Sequence, residues 1–173
     1  DSAPLFIKSV YYMTDTRTIR VKTEPKSRVH PVQEITSDME LSCIQQLYLS
    51  GSCKERQKDI QSCLDKKITG YKGQDVKKNI HDPTTLITRE EVLEKMVASK
   101  LKCYYCSKKV KILYSMSREP IQWSLDRIDN DMNHSCCNTV IACLDCNLKR
   151  RRRDADKFHF TKNLTISKMG AIN

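Results

Sequence analysis

Two Cys-x-x-Cys pairs constrain the fold of this chain more than any other feature. Cys103 and Cys106 form the first pair, and Cys143 and Cys146 form the second. Two such pairs supply four thiolates, which is the ligand set of a tetrahedral structural zinc site. We therefore expect one Zn²⁺ ion held by all four cysteines.

The segment inside and just after this clamp has the pattern of two short strands and a helix. Apolar and polar residues alternate over 122–129, a β-prone run covers 138–142, and a basic helix is predicted from about 144 to 153. Because a segment this short buries little apolar area, we expect zinc to stabilise its fold. Trp123, on the first predicted strand, is expected to be buried in the core beneath that strand.

Two oxygen-bearing side chains in this segment indicate a second metal. Asp126 can project from the first predicted strand, while Asn147 lies in the first turn of the predicted helix. Carboxylate and amide oxygens suit a hard divalent cation such as Mg²⁺ or Mn²⁺, with water and a phosphate completing its shell. The alternative is that Asp126 only forms a surface ion pair.

These residues together resemble the HNH, or ββα-metal, endonucleases, and within them the zinc-clamped group that includes recombination endonuclease VII. The resemblance covers residues 101–155, about a third of the chain. It rests on the two cysteine pairs, on the run Leu-Asp-Arg-Ile-Asp-Asn at 125–130, and on His134, Asn138 and Asn147. It implies cleavage of phosphodiester bonds in duplex or branched DNA, with Asp126 and Asn147 holding the catalytic cation and Asn138 holding the loop between the strands.

Arg127 departs from the family pattern, because the usual general base is a histidine directly after the metal-binding aspartate. An arginine cannot take a proton at neutral pH. Three interpretations follow: Asp129 or His134 serves as the base, the cation activates water without a dedicated base, or the module binds DNA without cutting it. His134 is the better base, since an imidazole titrates near neutral pH.

The charge of the chain indicates a polyanionic partner. Its formal net charge is +10, which favours nucleic acid, with an anionic membrane surface as the alternative. No apolar run approaches the roughly 20 residues of a membrane-spanning helix. A basic run directly after Asn147 is expected to contact phosphates, although such runs are often only solvated. It comprises Lys149, Arg150, Arg151, Arg152 and Arg153.

Outside the clamp the sequence predicts a small α+β protein in four parts. Residues 1–34 have the pattern of a β-hairpin or extended arm, 35–100 a helical region, 101–160 the zinc-clamped ββα-metal module, and 161–173 a tail. In the helical region Ser37 or Asp38 can cap a first helix, Gly70 is predicted to end a second, and a short third one is expected near 75–80. Thr88 and Glu91 form a capping box for a further helix. A homodimer or a larger assembly is consistent with this organisation.

The remaining cysteines favour free thiols. The total of nine is odd, and four of the nine belong to the clamp. Cys43, Cys53 and Cys63 are ten residues apart, a spacing similar to that of oxidised helical hairpins, but a fourth partner is missing. We therefore expect an intracellular, reducing compartment such as the nucleus or cytoplasm, including a viral or phage setting.

Overall fold

The computed structural model describes residues 35–54 and 56–165, which form a mixed α+β fold. This confirms the α+β part of the predicted fold class. The ββα-metal module stays a prediction, and the predicted N-terminal hairpin lies outside the described residues. Five helices and two strands occur within the described ranges. In chain order they are α1 (Ser37–Ser50), α2 (Gln57–Lys77), α3 (Arg89–Ala98), β1 (Trp123–Arg127), β2 (Thr139–Cys143), α4 (Leu144–Arg150) and α5 (Ala155–Asn163).

Helix α1 begins one residue earlier than its sequence pattern predicts. The Thr36 hydroxyl accepts a hydrogen bond from the Met39 backbone at 3.3 Å and therefore caps the helix. Gly51 ends it in the left-handed conformation, with φ of 69°. The helix buries Ile44 and Leu47 on its inner face.

Helix α2 continues through Gly70, so the prediction that this glycine ends the helix is wrong. It runs on to Lys77 and absorbs the start of the short helix that was predicted near 75–80. Gly70 lowers intrinsic helix stability, but the buried face formed by Ile60, Leu64 and Tyr71 continues across it. Tertiary packing therefore outweighs the local preference.

Helix α3 begins with the capping box that the sequence predicts. The Thr88 hydroxyl accepts from the Glu91 backbone at 3.2 Å, and the Glu91 carboxylate accepts from the Thr88 backbone at 2.8 Å. The helix buries Val92 and Met96 against α1 and α2.

The two predicted strands form one antiparallel pair, each within one or two residues of the expected position. Trp123 lies opposite Cys143, and Arg127 lies opposite Thr139. All five residues of β1 are buried, because α2 lies along one side of the strand and α4 along the other. Helix α4 ends at Arg150, three residues earlier than predicted, since Arg151 adopts a positive φ of 55°.

One hydrophobic core connects the helical region to the clamp. It includes Leu47 of α1, Leu64 of α2, Met96 of α3, Trp123 of β1 and Phe158 of α5. Trp123 is completely buried, as its position in the strand predicts. The two predicted regions are therefore packed on each other.

A buried carboxylate also joins the first helix to the clamp. Glu40 of α1 accepts backbone hydrogen bonds from Ile112 at 3.2 Å and from Leu113 at 2.9 Å. Burial raises the pKa of this carboxyl group. Glu40 therefore completes the hydrogen bonding of a loop that has no strand partner at these positions.

Cys43 and Cys53 form a disulfide, which differs from the expectation of free thiols. Helix α1 ends at Gly51, and the chain then returns so that the two Cα atoms lie 5.4 Å apart. Disulfides are more typical of oxidising compartments. The reducing compartment stays a prediction, while the pairing of these two cysteines is a feature of the fold.

No helix within residues 35–54 and 56–165 has both the length and the apolar character needed to cross a membrane. The longest, α2, has 21 residues and includes many charged side chains.

Candidate functional site

The four clamp cysteines meet at one point, as their spacing predicts. All four sulfur atoms lie within 4.8 Å of one another, and Cys103, Cys143 and Cys146 are buried. This cluster can hold a metal ion, and the soft thiolate set is typical of zinc. Within the described residues it is the only such group of three or more histidine, cysteine or acidic ligands.

Each cysteine pair is positioned by a local turn. In the first pair the Cys103 backbone N–H donates to Lys108 at 2.9 Å, and Ser107 adopts a positive φ of 56° that turns the chain back. In the second pair Cys143 ends β2 and caps α4, where its sulfur accepts from the Cys146 backbone at 3.4 Å. The strand end and the helix start therefore place both sulfurs on one side.

The protonation of the cluster favours a cation. A hydrogen bond from Cys143 lowers the pKa of Cys103 to about 5. Burial raises the pKa of Cys146 to about 12, and its hydrogen bond to Cys103 raises that of Cys143. A bound metal ion would supply the positive charge that stabilises the clamp sulfurs as thiolates.

A groove of about 420 Å³ runs over β1 between α2 and α4. Its α2 wall includes Lys66, Lys67 and Gln74, and its α4 wall includes Asn147 and Leu148. Four of the side chains that the sequence singles out line this groove together, namely Asp126, Arg127, His134 and Asn147. The ββα segment and the helical region therefore build it jointly.

His134 is held rigidly at one end of the groove. Its Nδ1 donates to the Asp75 carboxylate at 2.7 Å, its backbone N–H donates to the same carboxylate at 2.8 Å, and Tyr71 stacks on its ring at 4.7 Å. Protonation at Nδ1 leaves Nε2 as the nitrogen that can accept a proton. Burial lowers the pKa of His134, although Asp75 opposes this effect. The imidazole is therefore neutral at pH 7.

Arg127 lies beside the His134–Asp75 pair, at the position where the ββα-metal endonucleases usually have a histidine base. Its guanidinium is 3.5 Å from the Asp75 carboxylate and donates to the Met132 carbonyl at 3.1 Å. Only 6% of the side chain is exposed. The arginine thus shares the carboxylate that orients His134 and adds a positive charge to the groove.

Asp126 is fully engaged by protein donors. Arg150 donates to both carboxylate oxygens, at 2.5 and 3.0 Å, and the Tyr105 hydroxyl donates at 2.6 Å. Burial and this hydrogen bond raise the pKa of Tyr105, so the hydroxyl stays protonated. With both oxygens taken and only 5% of the side chain exposed, Asp126 does not fit as a ligand for a divalent cation in this arrangement.

Asn147 does not contact Asp126 through a hydrogen bond. Its amide nitrogen donates to the Ser124 hydroxyl and to the Leu125 carbonyl, each at 3.2 Å. The Leu125 N–H in turn donates to the Tyr71 hydroxyl at 2.9 Å. Asn147 and Tyr71 thus satisfy both backbone groups of Leu125 at the outer edge of β1, and the amide oxygen of Asn147 is the atom that could accept from a ligand.

Asn138 holds the loop between the strands. Its side chain accepts from the Asp129 backbone N–H and donates to the Asp129 and Asn133 carbonyls, each at 2.9 Å. The carboxylate of Asp129 accepts from the Asp131 backbone at 2.9 Å and is exposed in this turn. His134, at the far end of the loop, depends on these bonds for its position.

No protein-family model, curated protein or solved structure matches this chain. The resemblance to the ββα-metal endonucleases therefore rests on the motif residues and remains a proposal.

The basic run separates into residues with different environments. Arg150 is completely buried and donates into the protein, so it differs from the expectation of a phosphate contact. Lys149 pairs with Asp145, Arg152 pairs with Asp131, and Arg153 lies 4.7 Å from the Phe158 ring. Arg151 is exposed after the helix end. The exposed members could still reach phosphates.

Three residues of the site were not predicted from the sequence because they lie on α2, which was predicted to end at Gly70. Lys67, Tyr71 and Asp75 are four apart and therefore share one helical face. That spacing is visible in the sequence, but a helix that ended at Gly70 would have separated them. Tyr105, between the first two cysteines, had no comparable signal.

Proposed function

We propose that this chain is a zinc-stabilised endonuclease that hydrolyses phosphodiester bonds of DNA in the groove between α2 and α4. The observation that carries the proposal is the convergence of Arg127, His134 and Asn147 on one basic groove. His134 supports it further, because a neutral imidazole oriented by a buried carboxylate is suited to general base catalysis.

In this proposal His134 takes the proton of the attacking water at Nε2. The resulting hydroxide attacks phosphorus, the bond from phosphorus to the leaving sugar oxygen breaks, and that oxygen takes a proton from water. The His134 imidazolium then returns its proton to solvent. Lys66 and Arg127 supply positive charge to the phosphate, and the Asn147 amide oxygen can accept a hydrogen bond from the bound water or nucleotide. The Tyr71 ring and the Asp75 carboxylate keep the imidazole in place.

A cleavage assay on plasmid and four-way-junction DNA tests the proposal. It is run with Mg²⁺, with Mn²⁺ and with a chelator that leaves the zinc in place. His134→Ala should lower the cleavage rate by about 100-fold or more. The matched control is His159→Ala, which removes a histidine that stacks on Tyr104 of the clamp, outside the groove.

The phosphate contacts of the groove are tested by binding. Lys66→Ala should weaken DNA binding and lower the slope of log affinity against log salt by about one. Lys54→Ala, which removes an exposed lysine in the loop between α1 and α2, should leave that slope unchanged. Equal slopes for both variants would remove the groove as the DNA site.

DNA binding without cleavage is the second candidate function. The observation that favours it is the ion pair between Asp126 and Arg150, which occupies the carboxylate that the endonuclease resemblance assigns to the cation. In that case the wild-type protein binds DNA but shows no cleavage with any of the metals. There is then no cleavage rate for His134→Ala to lower.

A further inference from the structure

Arg150 is the most completely satisfied charged side chain of the groove region. Besides the two Asp126 oxygens, it donates to the carbonyls of Arg127 and Arg153 and to the Asn130 side chain at 3.3 Å. The residue is completely buried. A guanidinium has five N–H donors in a fixed plane, and these acceptors surround that plane on several sides.

The acceptors around this guanidinium resemble the oxygen ligands of a hard cation. Divalent cations such as Mg²⁺ take carboxylate, carbonyl and amide oxygens, and Arg150 binds all three kinds, from Asp126, Arg127 and Asn130. The positive charge of the side chain neutralises the carboxylate in the absence of a metal. The chain therefore has a cation-type oxygen site that one of its own side chains fills.

We propose that Arg150 is an internal competitor of divalent cations at Asp126, so that a metal can bind there only when the guanidinium leaves. The inference rests on the proposed function, because release of Arg150 would then control whether a cation can enter the nuclease site. The competition itself concerns binding and does not require cleavage.

The competition is strong because of burial. If a metal displaced Arg150 from Asp126 but left it inside the protein, a buried positive charge would lack its carboxylate, and breaking a buried pair in this way is strongly unfavourable. A metal that binds Asp126 in the wild-type protein must overcome this cost. Removing the guanidinium should remove the cost and leave the Asp126 oxygens available.

Mn²⁺ binding to the zinc-loaded protein, followed by electron paramagnetic resonance, tests the inference. Arg150→Met keeps much of the side-chain volume and removes the charge. It should bind Mn²⁺ at least about tenfold more tightly than the wild-type protein. Adding Asp126→Asn to that variant should abolish the gain, because the carboxylate is then absent.

Arg152→Met is the matched control. It removes an arginine of the same run whose partner, Asp131, is exposed, and its Mn²⁺ affinity should equal that of the wild-type protein. Equal affinities for the wild-type and Arg150→Met proteins would overturn the proposal. A gain that survives Asp126→Asn would also overturn it, since the metal would then bind elsewhere.

A second variant and a wild-type measurement cover the case in which Arg150→Met does not fold. Arg150→Lys keeps the charge but cannot bridge both oxygens, so a smaller gain in affinity is expected. In the wild-type protein, Mg²⁺ binding at Asp126 must shift the NMR signal of the Arg150 Nε–H group. Binding at Asp126 with that signal unchanged contradicts the proposal.

These results separate the inference from the proposed function. A gain in Mn²⁺ affinity that depends on Asp126, in a protein that never cleaves DNA, supports the competition and removes the nuclease. Cleavage that depends on His134 in a protein whose Arg150 variants gain no affinity supports the nuclease and removes the competition.

Discussion

Asp75 of α2 accepts two hydrogen bonds from His134, one from the ring at 2.7 Å and one from the backbone at 2.8 Å. The two residues are 59 positions apart, and they belong to regions that the sequence predicts separately. This contact makes the helical region a part of the candidate site. It also fixes which nitrogen of the imidazole is available in the groove.

The stability of the protein should fall as the pH is lowered through about 6.5. Burial lowers the pKa of His134 in the folded protein, so the unfolded chain binds more protons in the interval below 6.5, and acid favours unfolding there. Urea unfolding between about pH 5 and 7.5 measures this loss, which for one proton is at most about 1.4 kcal/mol per pH unit. His134→Gln should flatten this part of the profile.

Loss of one clamp thiol should destabilise the protein far more than loss of a free thiol. Cys143→Ser removes a metal ligand that also caps α4, and Cys137→Ser removes an exposed free thiol. We expect one zinc per chain in the wild-type and Cys137→Ser proteins and a large decrease in Cys143→Ser. Metal analysis and thermal unfolding check this. Equal melting temperatures for both variants would contradict a structural metal.

Breaking the buried ion pair should cost more than breaking an exposed one. Asp126→Asn leaves Arg150 buried without its carboxylate and should lower the free energy of unfolding by about 3–5 kcal/mol. Asp131→Asn breaks a pair in which both side chains are about 80% exposed and should cost less than about 1 kcal/mol. Denaturant unfolding compares the two variants, and similar losses would show that the Asp126 pair is not buried in solution.

Glu40 should be replaceable by glutamine but not by alanine. Glu40→Gln keeps an oxygen that can accept from the Leu113 backbone, and it removes the cost of a buried charge. Glu40→Ala leaves the Ile112 and Leu113 N–H groups without their acceptor, which should cost about 2–4 kcal/mol. Denaturant unfolding at neutral pH measures both variants. A glutamine variant as unstable as the alanine variant would show that the charge itself is required.

Thiol counting tests the disulfide. Nine cysteines are present in the chain, and seven of them are free in the structure. Protein that is denatured without reductant and stripped of metal should therefore show seven reactive thiols, and nine after reduction. Reduction should lower the free energy of unfolding by about 2–3 kcal/mol for a loop of this length. Nine thiols without reductant would instead agree with the reducing compartment that the sequence favours.

The sequence predicted those structural features that depend on residues close together in the chain. The cysteine spacing predicted the four-sulfur cluster, the pattern at Thr88 and Glu91 predicted the start of α3, and strand alternation predicted β1 and β2. Asn138 was assigned to the loop between the strands, where the structure places its hydrogen bonds.

Long-range pairing was not predictable in the same way. Asp126 has the same neighbours in sequence whether it binds a metal or an arginine, and only the fold brings Arg150 and Tyr105 to it. The continuation of α2 past Gly70 also depends on packing. Because the helix was predicted to end at Gly70, the sequence did not place Tyr71 and Asp75 on one helical face with Lys67, and part of the α2 wall of the groove was missed.

A two-stranded sheet has an outer edge on each side, and such edges can recruit strands from other molecules. On β1 the N–H and carbonyl of Leu125 are both bonded to side chains, those of Tyr71 and Asn147. An incoming strand would find no free backbone partner at this residue. Tyr71 and Asn147 therefore close this position of the sheet edge to intermolecular β-pairing.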